Sequence, residues 1–90
     1  MIEIKCVVSG KVQGVGYRDY VCTAAGECGV VGWVRNEADG TVQVCAQGTP
    51  DNLKALIEYL HEGSVVAEVV GVAVEWRAST VLYDGFGICR

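Results

Sequence analysis

Gly10-Lys11-Val12-Gln13-Gly14-Val15-Gly16-Tyr17-Arg18 separates two different hydrophobic periods, and the change of period marks where the fold becomes legible. Upstream, Ile4, Cys6 and Val8 alternate with Glu3, Lys5, Val7 and Ser9, which predicts a strand over Ile2 to Ser9 with one buried face. Downstream, Val21, Ala25 and Cys28 recur at helical spacing, which predicts a helix from about Arg18 to Cys28. Gly26 weakens that helix by about 1 kcal/mol relative to Ala, and Gly29 is its stop signal. The quoted stretch is therefore a glycine-rich strand-to-helix turn. Gly10, Gly14 and Gly16 permit backbone angles that residues with a Cβ resist, so successive N–H groups can curl around one anion. The helix start adds free N–H groups and partial positive charge. Arg18 adds a permanently charged fork suited to phosphate oxygens. Together these parts describe a phosphate cradle, although pattern alone suits a plain tight turn equally well. Nucleotide motifs do not fit: no Gly-Lys-Ser/Thr follows, and Asp19 stands where the dinucleotide fingerprint needs its third glycine.

Beyond this turn, Val30 to Arg35 is rich in β-branched residues, contains Trp33, and predicts a second strand. Asn36-Glu37-Ala38-Asp39-Gly40 is turn chemistry, and Thr41 to Gln47 continues as a third strand with Val42, Val44 and Ala46 on one face. Thr49-Pro50 opens a second helix whose stripe is Leu53, Leu56, Ile57 and Leu60, and Gly63 ends it. Val69 to Arg77 predicts a fourth strand, with Val70, Val72, Val74 and Trp76 on one face. Tyr83 to Cys89 predicts a short extended tail with Phe86 and Ile88 together. The order βαββαβ predicts an α+β, ferredoxin-like split βαβ sandwich: an antiparallel sheet with two helices on one face, in a single domain over residues 1–90. In that topology the first and second strands run parallel with the third between them, so Arg18 and Asn36 emerge at the same sheet edge. Two strand spacings, about 10 Å, would separate their strands, and the pair could bracket one small ligand.

Ninety residues suit one core but no separate cofactor domain. No apolar run reaches the length of a membrane span, and Glu3 and Lys5 break any signal-peptide pattern, so the expected location is cytoplasmic. The net charge of −4 and the scattered seven Lys/Arg residues argue against nucleic-acid binding; a small anion must be held by local geometry. Five cysteines without Cys-x-x-Cys, and one histidine (His61), support neither a zinc site nor a disulfide framework. Cys6, Cys22 and Cys28 read as small apolar fillers, while Cys45 and Cys89, on the other register, are expected as exposed thiols.

Gly10–Arg18, followed by Gly32-Trp33-Val34-Arg35-Asn36 and Asp39-Gly40-Thr41-Val42, resembles the acylphosphatase family. The second helix and the closing Phe86-x-Ile88 are also similar, so the resemblance spans essentially the whole chain. It implies hydrolysis of small acyl phosphates to a carboxylate and inorganic phosphate. Under it, Arg18 binds phosphate, Asn36 orients the attacking water, and the backbone N–H groups of Gln13, Gly14, Val15, Gly16, Tyr17 and Arg18 complete the site. It implies no metal and no cofactor. The implied partners are a small acyl phosphate and inorganic phosphate as product and competitor, with no nucleic acid, no membrane and a monomeric protein.

The neighbouring residues take plainer readings. Thr41 suits strand propensity, Lys11 solvation, Tyr17 aromatic packing, and His61 the carboxyl end of the second helix. Asp19 suits a helix N-terminus but would stand near the anion, so it is expected to point outward. Family members often carry a Gly-Pro turn after the second helix, where this chain has Gly63-Ser64-Val65-Val66; that change, Cys28 and Gly26 are expected to lie away from the cradle. A competing function is a binding module, since the same loop resembles the amino-terminal domain of a larger carbamoyl-transfer maturation protein. No such further domain is visible here, which favours the free-standing enzyme. A ferredoxin-like nucleic-acid binder would need a basic, aromatic sheet face, against which the acidic balance speaks.

Overall fold

The structure, a computed structural model, describes residues 1–89. Strand β1 runs Ile2–Lys11, helix α1 Tyr17–Cys28, β2 Val31–Asn36, β3 Val42–Gln47, helix α2 Pro50–Glu62, β4 Glu68–Ala78 and β5 Phe86–Ile88. The sheet order is β4-β1-β3-β2-β5. The first four strands pair antiparallel, as the split βαβ order requires. The tail supplies a fifth strand, which pairs parallel with β2, Gly32 facing Phe86 and Val34 facing Ile88, and makes the sheet mixed.

The core follows from the two periods. Ile4, Cys6 and Val8 of β1 meet Val42, Val44 and Ala46 of β3 and Val34 of β2, and all are buried. Leu53, Leu56 and Leu60 bring the stripe of α2 onto this face, and Tyr17, Val21, Ala24 and Ala25 bring that of α1. Each fully buried leucine contributes roughly 1.5–3 kcal/mol. Helix α2 begins as its sequence predicts: Thr49 Oγ1 accepts from Asn52 N–H at 3.2 Å, with Pro50 in the first turn. Helix α1 ends on Gly29 in the left-handed region, whose N–H reaches back to the last turn. Gly32 is required for a different reason. Its φ is +145°, and a Cβ there would stand 1.9 Å from the Cys45 carbonyl oxygen.

Two expectations change. Val70 is exposed rather than level with Val72 and Val74, because a bulge opposite Ser9 and Gly10 shifts the phase of β4 and turns Val69 toward the core instead. Trp76, at the far end of this edge strand, is also exposed. Cys45 is buried, whereas Cys89 is exposed as expected. The chain from Ser79 to Tyr83 lies over the outer sheet face beside Cys45: Tyr83 N–H donates to Gln47 Oε1 at 3.2 Å, and Trp33 Nε1 donates to Tyr83 Oη at 3.2 Å. Gln47 also donates to the Val81 carbonyl. Alternation assigns a residue to a face; it does not say what later chain covers that face.

Candidate active site

Parallel β1 and β2 end at one sheet edge, and the segments that leave them meet there. Val12, Gly14, Gly16, Tyr17, Arg18, Asp19, Asn36 and Ile88 line a cavity of about 220 Å³. Arg18 and Asn36, from different elements, thus face one space. Gly14 and Gly16 both have φ +73°, and a Cβ on either would meet nothing within 4 Å. Glycine is needed here for its backbone angle, not for room. None of the N–H groups from Gln13 to Arg18 donates to another backbone or side-chain group among the described residues. The first helical bond of this end is Tyr20 N–H to the Gly16 carbonyl, at 3.1 Å. The unpaired donors at the start of α1 make an anion-binding concavity.

Two arginines, Arg35 and Arg18, differ in their ion pairing among the described residues. Arg35 is committed to Glu37 Oε1 at 2.7 Å and lies 4.9 Å from the Trp33 ring centroid. Arg18 has no ion-pair partner among the described residues. Asn36 Oδ1 is the one buried side-chain oxygen or nitrogen among them that lacks a hydrogen-bond partner. Such an atom costs about 1–3 kcal/mol unless something donates to it. Gln13 ties the two halves together, with Nε2 donating to the Glu37 carbonyl at 2.8 Å and the Thr41 carbonyl at 2.9 Å. Thr41 Oγ1 donates to Asp39 Oδ1 at 2.6 Å and so closes the turn. Tyr17 is buried, its hydroxyl donating to the Leu60 carbonyl at 2.8 Å, and burial first, then neighbouring Tyr20 and Cys6, raise its pKa. Its part is packing.

The sequence matches the acylphosphatase family profile over residues 4–88. An acylphosphatase of Salinibacter ruber is 43% identical over 88 residues, covering 98% of this chain and 93% of that protein. The chain belongs to the acylphosphatase family. Among solved structures, an acylphosphatase from Bacillus subtilis is 32% identical, covers 100% of both chains and superposes with a TM-score of 0.97. An acylphosphatase from Coxiella burnetii is 38% identical, covers 97% of this chain and 90% of that one, and has a TM-score of 0.91. No helix among the described residues is long and apolar enough to cross a membrane.

Asp19 is exposed and, in the first turn of α1 beside Arg18, also borders the cavity. Against this acylphosphatase fold, one expectation about the surroundings of the site is corrected. The Gly63-Ser64-Val65-Val66 turn does not lie away from the cradle, since Ser64 Oγ donates to the Val15 carbonyl at 3.2 Å. Sequence reasoning also missed Val12 and Ile88 as cavity walls. Ile88 carried a usable signal: a tail strand parallel to β2 must finish at the same edge as Asn36.

Proposed function

We propose that the protein performs its family's reaction, hydrolysis of an acyl phosphate, by holding the phosphoryl group on the Gln13–Arg18 N–H groups and the Arg18 guanidinium. Asn36 Oδ1 accepts a hydrogen bond from a water molecule and directs its lone pair at phosphorus. The P–O bond to the acyl group breaks as the new one forms, giving a carboxylate and inorganic phosphate. A carboxamide cannot take the proton, so the proton passes to an oxygen of the phosphoryl group or of the departing carboxylate. Phosphoryl transfer asks a protein chiefly for charge stabilisation and alignment, and an acyl phosphate already has a good leaving group. Metal independence belongs to this reading, because the chain's own donors answer the phosphoryl charge. So do a monomeric protein, a cytoplasmic setting and no nucleic-acid partner, in keeping with the net charge of −4.

The observation that carries the proposal is that Asn36, whose Oδ1 accepts from no group among the described residues, lines the same cavity as Arg18 and the glycines of the unpaired loop. Acetyl phosphate hydrolysis followed with chelator present tests it. Preorganised donors are worth about 3–4 kcal/mol each in a barrier. Arg18→Ala and Asn36→Ala should therefore each lower kcat/KM by roughly 100- to 1,000-fold while the melting temperature barely moves. Wild-type rates in either variant would overturn the assigned roles, and loss of activity with chelator would overturn metal independence.

A further inference from the structure

The N–H groups of the loop can serve an anion only if each peptide plane is held the right way round. A glycine-rich loop has no intrinsic means of ensuring this. Gly16 gives the backbone freedom to rotate the peptide between Val15 and Gly16, and a flip would swap its N–H for its carbonyl. The peptide unit is planar and trans, so its C=O and N–H point in opposite directions. Whatever grips the Val15 carbonyl therefore aims the Gly16 N–H.

One group in the structure grips it. Ser64 Oγ donates to the Val15 carbonyl at 3.2 Å in a partly buried contact. Gly16, on the other side of that peptide, is a cavity-lining residue whose N–H has no partner among the described residues. Ser64 is itself well held. Gly63 N–H donates to the Tyr59 carbonyl at 3.0 Å, and Ala67 N–H donates to the Ser64 carbonyl at 3.1 Å. The end of α2 is docked on α1 by Tyr17 Oη to the Leu60 carbonyl and by Tyr20 Oη to the Tyr59 carbonyl, at 2.8 and 2.7 Å. Tyr17 directly follows Gly16, so helix and hydroxyl reach the loop from the same side.

We propose that Ser64 is a positioning residue for catalysis: by latching the Val15 carbonyl it keeps the Gly16 N–H turned toward the phosphoryl group. This rests on the loop being the phosphate site. Net hydrogen-bond strengths translate into about a three- to tenfold effect. Ser64→Ala should weaken competitive inhibition by inorganic phosphate about three- to tenfold and lower kcat/KM by a similar factor. The Gly16 amide resonance should move less on phosphate titration than in the wild type, a change that loss of stability alone does not produce. Ser64→Thr and Ser64→Val, nearly equal in volume, separate the hydroxyl from packing, and only Thr should restore phosphate affinity and the Gly16 shift. Equal phosphate affinity in the Thr and Val variants, or wild-type inhibition in Ser64→Ala, would overturn the proposal. Running Arg18→Ala alongside tells two failures apart. If it too keeps wild-type phosphate affinity, the loop is not the phosphate site and both readings fall. If it loses that affinity while the Ser64 variants do not, only the latch falls.

Discussion

Gln13 offers a quantitative test of how the site is assembled, because one carboxamide makes both contacts between the loop and the turn that follows Asn36. Its Nε2 donates to the Glu37 and Thr41 carbonyls at 2.8 and 2.9 Å, and Gln13→Ala deletes both bonds. Each is worth about 0.5–1.5 kcal/mol net. The contacts are only partly buried, so water can reach the abandoned carbonyls, which puts the loss at about 1–2 kcal/mol. For a chain of this size that lowers the melting temperature by roughly 5–15 °C. Gln13→Glu should melt lower still at pH 7, since it replaces two donors with a carboxylate facing two carbonyl oxygens. Either variant remains folded at 25 °C, so a fall in kcat/KM reports alignment. Displacements of about 1 Å can cost 100-fold, and a loss of at least about tenfold is expected. Thermal melts read by circular dichroism, with acetyl phosphate turnover on the same samples, measure both. A Glu variant as stable as the Ala variant would refute the staple, and so would an Ala variant that melts early yet turns over normally.

Gly32→Ala should cost at least about 3 kcal/mol or prevent folding, since its Cβ would collide with the Cys45 carbonyl; urea denaturation of any soluble product measures this. Burial alone would raise the pKa of Glu3, but hydrogen bonds from Arg77, Gln47, Cys45 and Ser79 outweigh it and hold the carboxyl below its ordinary value. Its contribution is therefore complete above the unfolded-state pKa and lost as pH falls through the folded one, so Glu3→Gln should flatten the acid limb of a stability–pH curve below about pH 4.5. Cys89 should react with a disulfide reagent at pH 8 well before Cys6 and Cys45, because Cys89 is exposed while burial pushes the Cys6 thiol up to about 12 and raises that of Cys45. Fast labelling of Cys45 in the native protein would show that the Ser79–Tyr83 segment does not cover it.

How much the sequence discloses depends on the reach of each interaction. Period, caps and turn residues are local, so β1, α1, the β2–β3 hairpin and the Thr49-capped α2 could be read directly. Arg18 and Asn36 could be placed at one edge because topology follows from element order, and the structure puts both in one cavity. Cys45, Val70 and Ser64 depart from their expected places for a shared reason. Each has surroundings set by chain distant in sequence: the Ser79–Tyr83 cover, the bulge against β1 and the Val15 carbonyl. No period of two or 3.6 encodes such contacts.

The overall charge and the site pull in opposite directions, and magnitudes decide between them. A chain of net charge −4 repels an anionic substrate, but a unit charge about 10 Å away in water contributes only about 0.4 kcal/mol. At physiological ionic strength screening over about 8 Å reduces that further. Even Asp19, an exposed member of the cavity wall, acts through solvent. A donor aimed at the developing charge is worth about 3–4 kcal/mol, and the loop offers several together with an unpaired guanidinium. Surface charge can therefore drift across such proteins with little effect on turnover, whereas one reversed peptide at Gly16 would turn a donor into a repelling carbonyl. What holds the loop's peptide planes therefore matters more to this site than the overall charge, and Gln13 and Ser64 are side chains whose hydrogen bonds tie the loop to neighbouring chain.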